Sequence, residues 1–426
     1  MNTAHPMFAA ARPPIPFVVQ QHLDNASVLR STRAVLVRAP HVQLHRLSRL
    51  DERLAASLDG LAIAGDFARG LCMAALETPG RGAMFANAIG AIDTRDPALL
   101  ERLLSLAEAV PEARVGLVSA FGWVPAPELR GITRALLDSP HAFRRDIGLA
   151  ACAMHHADPQ TVLETAMADE EHSAQAIVVA GKLGRIDLLP GCLGGLMHED
   201  AGRRFESARA ALLLGDRQDA LRMLVAFTGE GGPCQAAAAM LALKVLPTEQ
   251  AHALLQSLAR KEDSVRILIR GIGAAGDPHY VPWLIAQMGD LKLARLAGES
   301  FSTITGLDLA AEDLELKPPE NPVAGPNDNP DDEDVAMDED EGLPWPNAEK
   351  IDAWWQADGH RFPHGIRCFV GEPVTQGHCL AVLKTGFQRQ RIAAAEHLSL
   401  MAPGRPLFNA AAPAWRQQWL LSQMEA

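Results

Sequence analysis

Residues 93–100 read DTRDPALL, 156–163 read HADPQTVL, and 276–284 read GDPHYVPWL. Each is a polar turn carrying Asp-Pro, followed at once by a run with apolar residues at helical spacing. Four further turns fill the intervals: VPAPELR at 124–130, GRIDLLP at 184–190, GDRQDALRML at 215–224 and LPTEQAHALL at 246–255. Taking Pro97, Pro127, Pro159, Leu188, Asp219, Glu249 and Pro278 as one register, the steps are 30, 32, 29, 31, 30 and 29 residues. Seven turns with so little drift mark an internal repeat, and a repeat of this length is one supersecondary unit.

Working outward from the turns, each unit reads as a helical pair. A small-residue-rich helix precedes the turn, as in ARVGLVSAFGW at 113–123 and AQAIVVAGKLG at 174–184. A second helix follows it, as in DPALLERLLSLAEAV at 96–110, with Leu99, Leu103 and Leu106 on one stripe. Asp before Pro supplies an N-cap and a proline tolerated in the first helical turn. Neither helix can bury its apolar stripe alone, so neighbouring pairs must stack. The spacing predicts an all-α protein, an α-solenoid of helical-hairpin repeats over 76–316.

Composition agrees. Hydrophobic residues are 48% of the 426, aromatics only 5%, with one tyrosine. The apolar content is Ala and Leu, which favour helices, whereas a β-sandwich of this size would use more aromatic and β-branched side chains.

The net charge of −13 is unevenly distributed. Residues 1–50 balance at +5, residues 51–316 at −11, residues 317–347 at −9 and residues 348–426 at +2. An acidic body is a poor match for phosphates, so nucleic acid is not expected as a partner. The same field would draw in a basic protein.

No window approaches 18 apolar residues, and Pro13, Pro14 and Pro16 interrupt the first apolar stretch. Neither a membrane span nor a signal peptide is expected. The six cysteines form no CxxC pair and lie mostly in Ala/Leu-rich stretches, which suits reduced core thiols of a cytoplasmic protein.

The remaining segments divide the chain further. Residues 1–75 hold two capping helices, around SVLRSTRAVLVR and LHRLSRLDERLAASLDGL. Residues 317–347 combine seven prolines with an acidic run between Asp331 and Glu341, which reads as an open tether. Residues 348–426 read as a C-terminal helical cap, opening on AEKIDAWWQAD.

Helical pairs of about 30 residues with small residues in one helix and a D-P turn resemble the HEAT-like repeats first described in phycobilisome lyases. The terminal block adds GESFSTITGLDL at 298–309, the acidic linker, WW, RFPHGIRCFVGEPV and LKTGFQRQRIAAAEHLSLMAPGRPLF. Together, over roughly residues 50–420, these resemble an uncharacterised group of proteobacterial HEAT-like proteins. Their genes often lie near spike and effector genes of type VI secretion. The resemblance implies a non-enzymatic protein-binding scaffold, foremost a cytoplasmic immunity protein occluding a basic secreted toxin such as a nuclease. The alternative it implies is an adaptor or chaperone loading an effector onto the spike, and the third a HEAT-like repeat enzyme such as a DNA glycosylase or a phycobilin lyase.

Chemical motifs are sparse. GIGAAG at 271–276 matches a dinucleotide-binding spacing, but the repeat register assigns it to a helix and its turn. His360, His364 and Cys368, with His378 and Cys379 nearby, have metal-ligating side chains, yet Pro363 and Gly365 break any helix that would align them. His155 and His156 fall at a turn beside Asp158, where a solvated position is expected. No cofactor is expected. The residues expected to meet a protein partner are the turn acids Glu170, Glu171, Glu199 and Asp200 and the linker acids Asp331, Asp332, Glu333 and Asp334. Trp354 and Trp355 are the expected anchors.

Overall fold

The computed structural model describes residues 13–169, 173–319 and 338–424. Among them the chain is all-α, with twenty-one α-helices, and its strands are two pairs of two residues each. Residues divide into two compact units. The first comprises Met1–Leu36, His45–Ala151 and Ala412–Gln418; the second comprises Val37–Leu44, Cys152–Ala411 and Trp419–Ala426. The division falls inside the helix Ala142–His155, within the span read as one array.

Two of the three Asp-Pro turns cap as expected, at Asp96 and Asp277, whereas the helix after Asp158-Pro159 starts only at Thr161 with Gln160 at its N-cap. Asp96 accepts the N–H of Leu99 at 2.9 Å and Pro97 opens the helix Pro97–Ala109. That helix buries Leu99, Leu100, Leu103 and Leu104, each contributing about 1.5–3 kcal/mol of burial. In the first unit the helices Pro16–Leu36, Arg81–Asp93 and Pro111–Trp123 pack in succession. The long helix Leu44–Ala74 is interrupted at Gly65, whose φ of +55° leaves the helical region.

In the second unit the small-residue helices Ser173–Leu183, Ala201–Leu213, Gln235–Val245, Val265–Ala275 and Ala294–Thr305 pack each on the next. The reason for small residues is plain at Gly181, where an added Cβ would lie 2.9 Å from the Cβ of Ala210. Ala151, Ala180 and Ala211 are all buried. GIGAAG ends a helix: Gly276, at φ +69°, is the left-handed residue that stops Val265–Ala275.

The C-terminal block differs from the expected cap over 348–426. Only its first part, the helix Ala348–Asp358, packs at the end of the repeats, against Val281–Gln287. The remainder runs back along the second unit in reverse order. Val370 and Gly371 donate their N–H groups to Thr303 and Ile304, and Cys368 N–H donates to Gly276 O at 2.7 Å. The Arg367 guanidinium donates to Leu243 O at 2.9 Å, Leu246 O at 3.0 Å, Ala275 O at 3.0 Å and Lys244 O. Arg217 donates to Leu400 O at 2.7 Å, and Leu407 N–H donates to Lys182 O at 2.8 Å. His156 shares a 3.0 Å hydrogen bond with Leu407 O, so it is not the solvated turn residue expected. The last carbonyls of every helix lack an intrahelical donor, and this returning segment supplies donors to several of them.

The first unit uses the same device. Arg416 donates to Gly122 O, Trp123 O and Val124 O at the end of Pro111–Trp123. Buried Asp51 accepts from Arg33 at 2.6 Å and from Ala414 N–H at 2.7 Å. In the second unit buried Gln388 donates to Val37 O and Ala410 O, each at 3.0 Å, while buried Arg391 donates to Leu383 O at 2.7 Å and to Gln388. Burial lowers the pKa of Arg391 and of Arg416 to about 10.

The acidic stretch is also corrected in part. Residues 338–347 are not an open tether. Asp338 pairs with Arg295 at 2.6 Å, buried Asp340 with Arg266 at 2.7 Å, and Glu339 with Arg270 at 3.3 Å. Leu343 is buried, and Trp345–Pro346 pairs antiparallel with Glu315–Leu316. Three arginines from two adjacent repeat helices neutralise the acids, which removes the self-repulsion on which the tether reading rested.

Candidate functional site

Of the residues expected to meet a partner, Glu170, Glu171, Asp331, Asp332, Glu333 and Asp334 lie outside the described residues. Glu199 and Asp200 are exposed at the turn before Ala201–Leu213. The Asp200 carboxylate accepts the N–H of Arg203 at 2.8 Å and so caps that helix, while Glu199 presents its carbonyl to Arg204 at 2.7 Å. Turn acids elsewhere do similar work: Asp158 accepts from Gln160 N–H, Asp216 from Ala220 N–H and Asp290 from Lys292 N–H. Part of the acidity at the turns is therefore committed to ending and starting helices.

Trp354 and Trp355 are half-buried in one aromatic cluster. Trp354 meets buried Phe301 edge-on with centroids 5.9 Å apart, and Trp355 stacks on Phe362 at 5.7 Å. The two indoles are themselves 6.4 Å apart. Gly359 lies under Trp355, where a Cβ would come within 3.0 Å of the ring. The helix Ala348–Asp358 is thereby fastened, with part of both rings left open to solvent.

Electrostatically the two units differ. By sequence the first holds sixteen arginines, no lysine and fourteen acids, a balance of +2. The second holds twenty-three bases and thirty-eight acids, a balance of −15. The whole acidic excess belongs to one unit.

One cluster of titratable groups escaped the sequence reading. Asp277, buried at the turn before Pro278–Tyr280, accepts from His279 N–H at 3.0 Å and pairs with His252 Nε2 at 2.8 Å. Burial pushes its carboxyl up, but the hydrogen bonds from His279, His252 and Gly365 outweigh that and hold it below the usual carboxylate range. The His252 ring stacks on His279 at 5.7 Å, and His279 meets His364 at 6.0 Å. Of the side chains considered as metal ligands, only His364 joins this group. His360 bonds Ala357 O, His378 bonds Phe369 O, and Cys368 and Cys379 are buried in packing. No group of three or more His, Cys, Asp or Glu among the described residues is arranged to hold a metal. A carboxylate hydrogen-bonded to an imidazole nitrogen orients the ring.

The cysteines are all unpaired, and five are buried. Burial drives the Cys192 thiol up to about 12 and those of Cys72, Cys152 and Cys379 to about 11, which disfavours the reactive thiolate. No helix among the described residues is long and apolar enough to cross a membrane.

Comparison with family models, with curated proteins and with solved structures found no match for this chain.

Proposed function

We propose that the chain is a non-enzymatic protein-binding scaffold in which the helical pairs stack as an α-solenoid of HEAT-like repeats. In this reading it is a cytoplasmic immunity protein that captures and occludes a basic toxin delivered by type VI secretion. The observation that carries the reading is the charge partition: a −15 excess held by one unit, while the other is near neutrality at +2. Concentrating acids on one body raises the local field and accelerates encounter with a basic partner. A preformed helical surface adds little ordering cost to binding. A nuclease is the natural target class, because its phosphate-binding face is basic and carboxylates can stand where phosphates would lie. Trp354 and Trp355 would supply an apolar anchor within that acidic unit.

The test is the association rate with the effector encoded beside this chain, measured against ionic strength. Wild type is compared with a variant in which Asp331, Asp332 and Asp334 become Asn and Glu333 becomes Gln. The rate should fall steeply with salt as the screening length contracts from about 10 Å at 0.1 M to about 3 Å at 1 M. The variant should associate more slowly at low salt and converge with wild type at high salt. Two identical, salt-insensitive curves would remove electrostatic capture from the account.

A further inference from the structure

The first unit contains an open cleft of about 390 Å³ between the turn that begins Pro97–Ala109 and the segment around Ile132–Leu137. Its lining includes the apolar side chains Leu100, Leu104, Ile132 and Leu136 and three arginines, Arg95, Arg130 and Arg144. Two carboxylates also line it, and both are engaged: Asp96 caps the helix and pairs with Arg69 at 3.3 Å, and Glu101 pairs with Arg144. Arg95 donates to Arg130 O at 3.3 Å and lies 3.6 Å from Glu128. Arg130 is exposed and has no carboxylate partner among the described residues.

The backbone supplies a second observation. Arg95 has φ +50°, a left-handed conformation that disfavours residues with a Cβ. It sits just beyond the end of Arg81–Asp93, where Arg95 N–H bonds Ile92 O and Asp96 N–H bonds Ala91 O. This is the Schellman ending, in which glycine is the usual residue. The corresponding positions of two later repeats are Gly184, at φ +73°, and Gly215, at φ +110°. His156, at φ +53°, holds the position once more, and its ring is used against Leu407. Glycine suffices to end these helices, so an arginine at 95 is strained backbone that places a cation among the residues lining the cleft.

We propose that this cleft binds a carboxylate carried on a compact apolar group. Arg130 would pair with the carboxylate, with the bidentate geometry that guanidinium groups favour, and Arg95 would be shared between it and Glu128. The apolar side chains of the lining would take the apolar body, beside Arg144 tied to Glu101. The volume is that of a small-ligand pocket, with the usual combination of apolar lining and few charged groups. A free apolar carboxylic acid and the C-terminal residue of a peptide both present this chemistry. The site belongs to the first unit, whereas the acidic excess of the proposed toxin surface belongs to the second.

The full-length protein is titrated calorimetrically with N-acetyl-L-phenylalanine and its methyl ester, and with a hexapeptide ending in Phe as the free acid and the amide. At least one acid should saturate with a Kd below about 1 mM, with its uncharged counterpart at least about tenfold weaker. Saturation by the amino acid identifies a metabolite-like ligand, and saturation by the peptide alone identifies a chain terminus. Arg130→Ala and Arg95→Gly should each weaken binding about tenfold or more. Arg95→Gly should not lower the thermal midpoint, because it removes a strained residue. Equal binding of acid and ester or amide, no saturation by either acid, or full affinity in both arginine variants would overturn the proposal.

Discussion

Arg367 offers the most direct perturbation of the returning C-terminal segment. Its guanidinium donates to four carbonyls at the ends of Gln235–Val245 and Val265–Ala275. Hydrogen bonds from a charged donor contribute about 1.5–3 kcal/mol each, but they share one side chain and are not additive. Two effects reduce the total. Burial lowers the Arg367 pKa, so the folded state carries a desolvation cost, and the half-buried site lets water reach some carbonyls after truncation. A net loss of about 2–4 kcal/mol is expected for Arg367→Met, which keeps the apolar stem and removes the donors. Arg367→Lys should recover less than half of it, because an ammonium cannot present the planar fork. The assay is urea unfolding of the full chain, followed by circular dichroism. Arg367→Met within about 0.5 kcal/mol of wild type would refute the reasoning, since that is the range of surface substitutions.

Three further outcomes follow from the structure. His397, buried near Lys244 and Arg367, has its pKa pushed down to about 3, first by burial and then by those two cations. Its folded pKa lies below the unfolded value, so its contribution is complete above about pH 6.5 and is lost progressively as pH falls toward 3; unfolding free energies at pH 7 and pH 5 should differ by about 2 kcal/mol more in wild type than in His397→Leu. Ala180 is fully buried beside the Gly181–Ala210 approach, so Ala180→Leu should overpack and cost about 1–3 kcal/mol, and an unchanged thermal midpoint would contradict the close packing. Asp340 is buried against Arg266, which also reaches Glu339 at 3.4 Å, so Asp340→Ala should weaken the anchor by about 1–2 kcal/mol and expose 338–346 to protease, whereas wild-type resistance would sink the anchoring argument.

What the sequence disclosed is what local chemistry controls. The register taken at Pro97, Asp219 and Glu249 falls at the start of Pro97–Ala109, Asp219–Glu230 and Thr248–Ala259. Asp, Pro and Gly act within a few residues of themselves, so capping and termination are readable without a partner. The path of the C-terminal block was not readable, because Arg367 and Arg416 act on carbonyls more than a hundred residues away, at Leu243 and Val124. The anchoring of 338–347 escaped for the same reason: the compensating cations Arg266 and Arg295 belong to distant helices. His252 and His279 looked like ordinary helix and turn residues, and only the fold brings them onto Asp277. Arg95 carried one usable signal, an arginine where the repeats at Gly184 and Gly215 end in glycine.

The proposal that this scaffold neutralises a toxin is tested most directly in cells of a sensitive strain that express, inside the cytoplasm, a type VI effector whose gene adjoins that of this chain. Co-expression of the full chain should restore growth, and deleting its gene in the native strain should make that strain vulnerable to its siblings while leaving effector secretion intact. Continued killing despite co-expression, together with loss of effector secretion on deletion, would contradict the immunity reading and assign the scaffold to effector loading.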